Sequence, residues 1–367
     1  MNANTSRRNA AEREEGAQLF DRTTRDLPPG RHQFHKERMM AQIHETQAEE
    51  RTAAKAAAPA RTRRFQLPRP AILLPALAAA LAGVVVAGVV ASGGSGVKDE
   101  GVATGPALTT TVGTATSKGV PQLLDRIALA AAEGGQPAVG PGQYIYIESR
   151  TATTFLKTVD DKTTLASDEL HTRQVWESPD GTKGWLIDPA VNDSPEGETL
   201  SLPDEQGNTP EANLNAPSYD YLAELTTDPD TLLAKIYKET EGQGNTPDQQ
   251  AFATIGDLLN ESYPPAELYS ALFKTAAKIP GVVVVDDAVD AVGRHGVAVA
   301  RLDETSGQRE EWIFDKKTHV FLGERIVQVN ENSGEDALIK PGTVVYTSAI
   351  INRAIVDGIK QTPSKTG

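Results

Sequence analysis

The sequence predicts an α+β chain with one transmembrane helix and a large outer domain built on an antiparallel sheet. Three observations lead there. A 21-residue tract, Ala71–Ala91, holds no charge. Charge is segregated about it: residues 1–69 carry 14 Lys+Arg and 9 Asp+Glu, net +5, while 22 of the 36 basic and 41 of the 50 acidic residues follow the tract, net −19. Beyond it, strand-like runs precede helical ones and strand-like runs return, an order without βα alternation that suits an antiparallel sheet.

The elements follow in chain order. Residues 1–69 are expected to form a cytoplasmic region, partly helical or disordered, because they are polar, rich in Ala, Glu and Arg, and poor in core-forming side chains. Residues 70–92 are expected to be the transmembrane helix. Ala71–Ala91 contains ten Leu, Ile or Val, eight Ala, two Gly and one Pro. As a helix it is about 31 Å long, the thickness of a hydrocarbon core. Ala71, Leu74, Leu77, Leu81, Val84, Val85 and Val89 represent the span, and Pro75 falls in its first turn, where a missing amide donor costs little. The preceding twenty residues hold Arg51, Lys55, Arg61, Arg63, Arg64 and Arg69, whereas the following twenty hold only Lys98. That asymmetry predicts a single-pass protein of the cell membrane, with its N-terminus cytoplasmic and its C-terminal domain extracytoplasmic. Arg61, Arg63, Arg64 and Arg69 would anchor the inner end and meet anionic lipid headgroups of the bilayer. Ala79, Gly83 and Ala87 recur on one face, a small-residue pattern for helix self-association and hence a homodimer.

Residues 93–118, dominated by Gly, Ser, Thr and Ala, read as a flexible linker. The outer domain is expected over 119–357, with a C-terminal tail over 358–367. Leu123, Leu124, Ile127 and Ala131 mark the apolar face of its first helix. Strands are expected at 144–150, 172–177 and 184–188, the last two joined by the turn Ser178-Pro179-Asp180-Gly181. Three helices then open on Asp228 with Pro229, on a capping box from Thr246 to Gln249, and on Pro264-Pro265, the last burying Leu268, Leu272, Ala276 and Ile279. Strands return at 281–286, 296–302, 308–314, 320–329 and 343–351.

The chain has no cysteine, which excludes a disulfide framework, thiolate metal sites and a cysteine nucleophile. His32 and His35 read as solvated side chains. Ser95 and Lys98 match S-x-x-K without its companion motifs. Asp160 and Asp161, and Asp286, Asp287 and Asp290, are clustered carboxylates whose spacing fits no calcium loop. Trp176, Trp185 and Trp312 lie in strand-like runs and read as sheet core, and Gly293-Arg294-His295-Gly296 lacks what a phosphate loop needs. No catalytic residue, cofactor site or metal site is therefore expected, and no nucleic-acid partner.

The segments "PGQYIYIESR", "RQVWESPDGTKGWL", "IPGVVVVDDAVDAVGRHGVAVAR" and "EEWIFDKKTHVFLGERIVQ" resemble an uncharacterised actinobacterial family of single-pass membrane proteins, called anti-sigma-like and often found beside genes for extracytoplasmic-function sigma factors. The outer domain also resembles, by element order, the half-barrels of lipoprotein carriers and sigma regulators. These likenesses imply a curved antiparallel sheet covered by helices. They imply a non-enzymatic sensor or binding domain that takes a protein or an apolar ligand outside, with a sigma factor as cytoplasmic partner. The alternative is a lipid or lipoprotein carrier. The chain departs from the zinc-type anti-sigma pattern, which requires cysteine.

Overall fold

The computed structural model describes residues 104–134, 138–159, 162–192, 194–200 and 211–363. Within them, twelve strands form one antiparallel sheet and five helices lie against it. This corrects the expected fold class. The described architecture is sheet-rich, and no helix among the described residues is long and apolar enough to cross a membrane, so the transmembrane helix has no support in it. The tract at 70–92 itself lies outside the described residues.

The strands are β1 (Thr104–Pro106), β2 (Ala115–Thr116), β3 (Tyr144–Val159), β4 (Lys162–Asp168), β5 (His171–Glu177), β6 (Gly184–Ile187), β7 (Glu198–Thr199), β8 (Val282–Val289), β9 (His295–Asp303), β10 (Gln308–Asp315), β11 (Phe321–Gln328) and β12 (Val344–Val356). Their order is β2-β8-β9-β10-β11-β12-β3-β5-β6-β7. The strand expected over 144–150 runs on to Val159, and this length gives β3 two partners on one edge: β5 along its first half and β4 along its second. β1 pairs with β4.

The helices are α1 (Val120–Glu133), α2 (Tyr219–Ala223), α3 (Pro229–Glu239), α4 (Pro247–Glu261) and α5 (Ala266–Ala276). Asp228 accepts the Thr231 amide at 2.9 Å and starts α3 with Pro229 in its first turn. Thr246 likewise accepts the Gln249 amide at 3.2 Å at the head of α4. The reciprocal half of the expected capping box is missing, because the Gln249 side chain turns into the helix–sheet interface instead.

One face of the sheet buries the helices. Successive strand residues alternate between faces, so Trp312 and Phe314 of β10 point toward the helices together with Val299 of β9 and Phe321 of β11. Phe252 of α4 stacks on Trp312 with centroids 3.8 Å apart, and Phe273 of α5 meets Phe314 edge-on at 5.5 Å. Aromatic pairs of this kind add roughly 0.5–1.5 kcal/mol to their area burial.

The other face is covered by the two ends of the described chain. Part of the segment expected as linker is structured here. After β1, Leu108 O accepts the Val344 amide at 3.1 Å and the Thr110 amide reaches Gly342 O at 2.7 Å. Gly113 O then accepts from Arg309, and β2 ends the crossing on β8. Residues 104–116 thus form a strap from the β4 edge to the β8 edge. At the C-terminal end, Gln361 O accepts the Trp176 indole N–H at 2.6 Å and Lys360 lies over the Trp185 ring at 4.5 Å.

Candidate functional site

The helix face of the sheet is apolar beneath α5 and polar along α4. Glu310 lies on the same face as Trp312 and opposite Arg301 in register, and Glu324 lies opposite Trp312. Glu310 accepts from Trp312 Nε1 at 2.9 Å and from Gln249 Nε2 at 3.3 Å. Gln249 Oε1 in turn accepts from Arg301 Nη1 at 2.7 Å. Asn260 Nδ2 donates to Glu324 Oε1 at 3.3 Å and to Tyr346 Oη at 3.4 Å, while Ser348 Oγ donates to Asn260 Oδ1 at 2.8 Å. Asp257 and Glu261 of α4 supply two further carboxyls.

Burial dominates the electrostatics of this seam. Desolvation pushes the Glu310 carboxyl up to about 7, partly offset by the Trp312 hydrogen bond and the Arg301 charge. Glu324 is raised well above the usual carboxylate range by desolvation, then by the charges of Glu310, Asp257 and Glu261. Asp257 is half-buried as a residue, yet desolvation of its carboxyl and the charges of Glu261 and Glu310 raise it well above its ordinary value. Desolvation, then the charges of Glu324 and Glu261, raises the Tyr346 hydroxyl too.

The seam opens at the end of α4 into a shallow cleft. Ile145 and Ile147 of β3 and Val175 of β5 form its floor. Tyr219 and Leu222 of α2 form one wall, Ser262 and Tyr263 after α4 the other, and Glu177 and Glu261 stand at the rim. The cleft encloses about 10 Å³, room for no more than one water. Ser218 holds the α2 wall by accepting the Tyr221 amide at 3.1 Å. Arg353 of β12 holds the other by donating to Leu259 O and Asn260 O at the last turn of α4, where a cation is favoured by the helix dipole.

Farther along the face, His171, Arg173 and Asp188 form a second polar group. His171 Nε2 is 3.1 Å from Asp188 Oδ1, Arg173 Nε is 3.4 Å from Asp188 Oδ2, and His171 Nδ1 is 2.9 Å from Glu169 O. Desolvation opposes the charge on His171, but the Asp188 hydrogen bond and charge outweigh it and raise its affinity for a proton. Asp188 stays below its ordinary value because His171 and Arg173 overcome desolvation.

Apart from Trp312, which donates to Glu310 in the seam, the residues singled out in the sequence fall elsewhere. Ala71, Leu74, Leu77, Leu81, Val84, Val85 and Val89, the arginines Arg61, Arg63, Arg64 and Arg69, and Ala79, Gly83 and Ala87 lie outside the described residues, as do His32, His35, Ser95, Lys98, Asp160 and Asp161. Trp176 and Trp312 are buried in the sheet. Asp287 pairs with Lys316 and His295 on the surface, and Asp290 accepts the Val292 and Arg294 amides in the β8–β9 turn. The carboxyls of the seam were missed, although a signal existed: period-two alternation sets Glu310 on the face of Trp312 and Phe314, where a solvated charge has no place. No protein-family model matches the chain, and it matches no curated protein.

Proposed function

We propose that the described domain is a non-catalytic binding and sensing module, which receives a segment of a partner protein at the cleft between α2, the end of α4 and strands β3 and β5. The observation that carries this reading is the filled interior. Where a carrier half-barrel would hold acyl chains, Phe252, Trp312, Phe273 and Phe314 close the space between helices and sheet. A drug-sized or lipid ligand needs a cavity of roughly 300–1,000 Å³, and the cleft is far smaller. Recognition is then a surface matter. The apolar floor, two tyrosines and two rim carboxylates suit a short segment that presents an apolar side chain beside a basic one.

Photo-crosslinkers placed at Tyr219 and, as a control, at Leu129 on α1, which is 61% exposed, test the reading in intact cells. A discrete adduct at Tyr219 that is absent at Leu129 and lost in Glu261→Lys is expected. Stoichiometric lipid recovered with the purified chain, and no adduct, would instead favour the carrier.

A further inference from the structure

The two faces of β10 and β11 treat buried carboxylates in opposite ways. On the face away from the helices, Glu311 is fully buried between two guanidinium groups, with Arg309 at 2.6 Å and Arg325 at 2.7 Å. One residue along, on the helix face, Glu310 and Glu324 are each 5% exposed, and among the described residues neither is in an ion pair. Their partners are neutral: Trp312 and Gln249 for one, Asn260 for the other. Asp257 and Glu261 of α4 add to the negative charge around them, and so does Asp303 of β9.

The cations that face this seam are engaged elsewhere. Arg301 of β9, whose charge offsets only part of the burial of Glu310, donates to Gln249 and to Pro280 O and pairs with Glu304 at 3.8 Å. Arg353 of β12 serves the last carbonyls of α4, and Arg173 of β5 lies against Asp188. Tyr346 of β12 is neutral. A desolvated carboxylate with no counter-ion is far more costly than the protonated acid. The array can therefore close tightly only when it holds protons.

We propose that this seam is a proton-operated latch: α4 docks on β10 and β11 while the seam carboxyls are protonated, and their ionisation loosens α4 together with the cleft wall at its end. The latch does not depend on what the cleft binds. The raised proton affinities agree with it, since Glu310 is pushed up to about 7 by burial and Glu324 and Asp257 are raised well above the ordinary range. The sign follows. Between the unfolded value near ~4.3 and the folded value, the native seam holds more protons than the unfolded chain. The Glu310 contribution is complete at the acid end and is lost as pH rises through about 7.

Hydrogen exchange of the full chain, corrected for intrinsic rates, tests this between about pH 5 and about pH 8. Protection of residues 247–261 is expected to fall by roughly tenfold for each pH unit in which one proton is lost, with β8 unchanged. The double variant Glu310→Gln, Glu324→Gln should abolish the dependence, whereas His171→Gln, which removes the buried histidine of the second polar group, should leave it. Protection independent of pH, or a dependence that vanishes only in His171→Gln, would overturn the latch. Carboxyl carbon NMR on the wild-type chain decides the matter even where the double variant does not fold. Titration of Glu310 near neutrality with Glu324 displaced upward from the ordinary carboxylate range supports the proposal, and titration of both near ~4.3 refutes it.

Discussion

At Gly256 the absence of a side chain lets α4 settle on the seam. A Cβ there would lie 2.5 Å from Glu310 Oε1 and 2.6 Å from Trp312 Nε1. Alanine is otherwise the better helix former by about 1 kcal/mol, so Gly256→Ala sets propensity against contact. We expect contact to win and the variant to lose about 1–3 kcal/mol in urea unfolding, the usual cost of overpacking. A stabilised variant would show that α4 can shift without loss. Glu311 presents the reverse case. Glu311→Gln leaves Arg309 and Arg325 facing each other without their anion, and breaking a buried ion pair in this way costs about 3–5 kcal/mol, readable as a lowered denaturant midpoint. His171 and Asp188 contribute in a window of pH. A proton held more tightly by folded His171 stabilises below its ordinary value and is lost as pH rises through the raised one; folded Asp188 stabilises above its ordinary value and is lost as pH falls. His171→Gln is therefore expected to cost most stability near pH ~5 to 6 and least in alkali, as thermal melts across pH would reveal.

Among elements, the strap over 104–116 departs furthest from its appearance in the sequence. Its Gly, Ser, Thr and Ala content reads as a linker, yet Thr104 pairs with Asp168 and Ala115 with Val285. Partners so distant leave no trace in local periodicity. Two buried arginines fix its path, since Arg309 donates to Gly113 O at 3.0 Å and Arg325 to Thr110 Oγ1 at 3.3 Å. A Cβ on Gly113 would fall 2.8 Å from Val285 Cγ1. Gly113→Leu should lift the strap, making residues 104–116 the first site of limited proteolysis while the sheet survives. Cleavage no faster than in the wild type would mean that the strap is held mainly by its ends. By contrast, α3 was legible down to its first residue. Asp228 and Pro229 act within one turn, and no distant contact is needed to place them.

Across the described residues as a whole, the two ends of the described stretch finish the layer that the helices leave open. The strap covers β8 to β12, and Asp357–Gln361 covers Tyr146, Trp176 and Ile187 at the other end of the sheet. Deleting residues 358–367 is expected to expose Trp176, shifting tryptophan emission to the red and lowering the melting temperature; unchanged emission would show the tail to be dispensable. From residue 119 onward many strand and helix positions could be read because alternation, caps and turns are short-range physics, whereas β4, α2 and the second half of β3 could not. The same short-range signals, a run of apolar residues flanked by arginines, suggested a transmembrane helix that the described architecture does not contain. By itself the sequence determined where the first helix, α3 to α5 and most of the long strands begin, but not β4 or α2, and that no thiol chemistry is available. Only the tertiary structure decided that a linker-like segment becomes a strap, that Gln249 leaves its cap for the sheet, and that Glu310, Glu324 and Asp257 converge. Those outcomes depend on which strands become neighbours, and strand order brings together side chains that lie far apart along the chain.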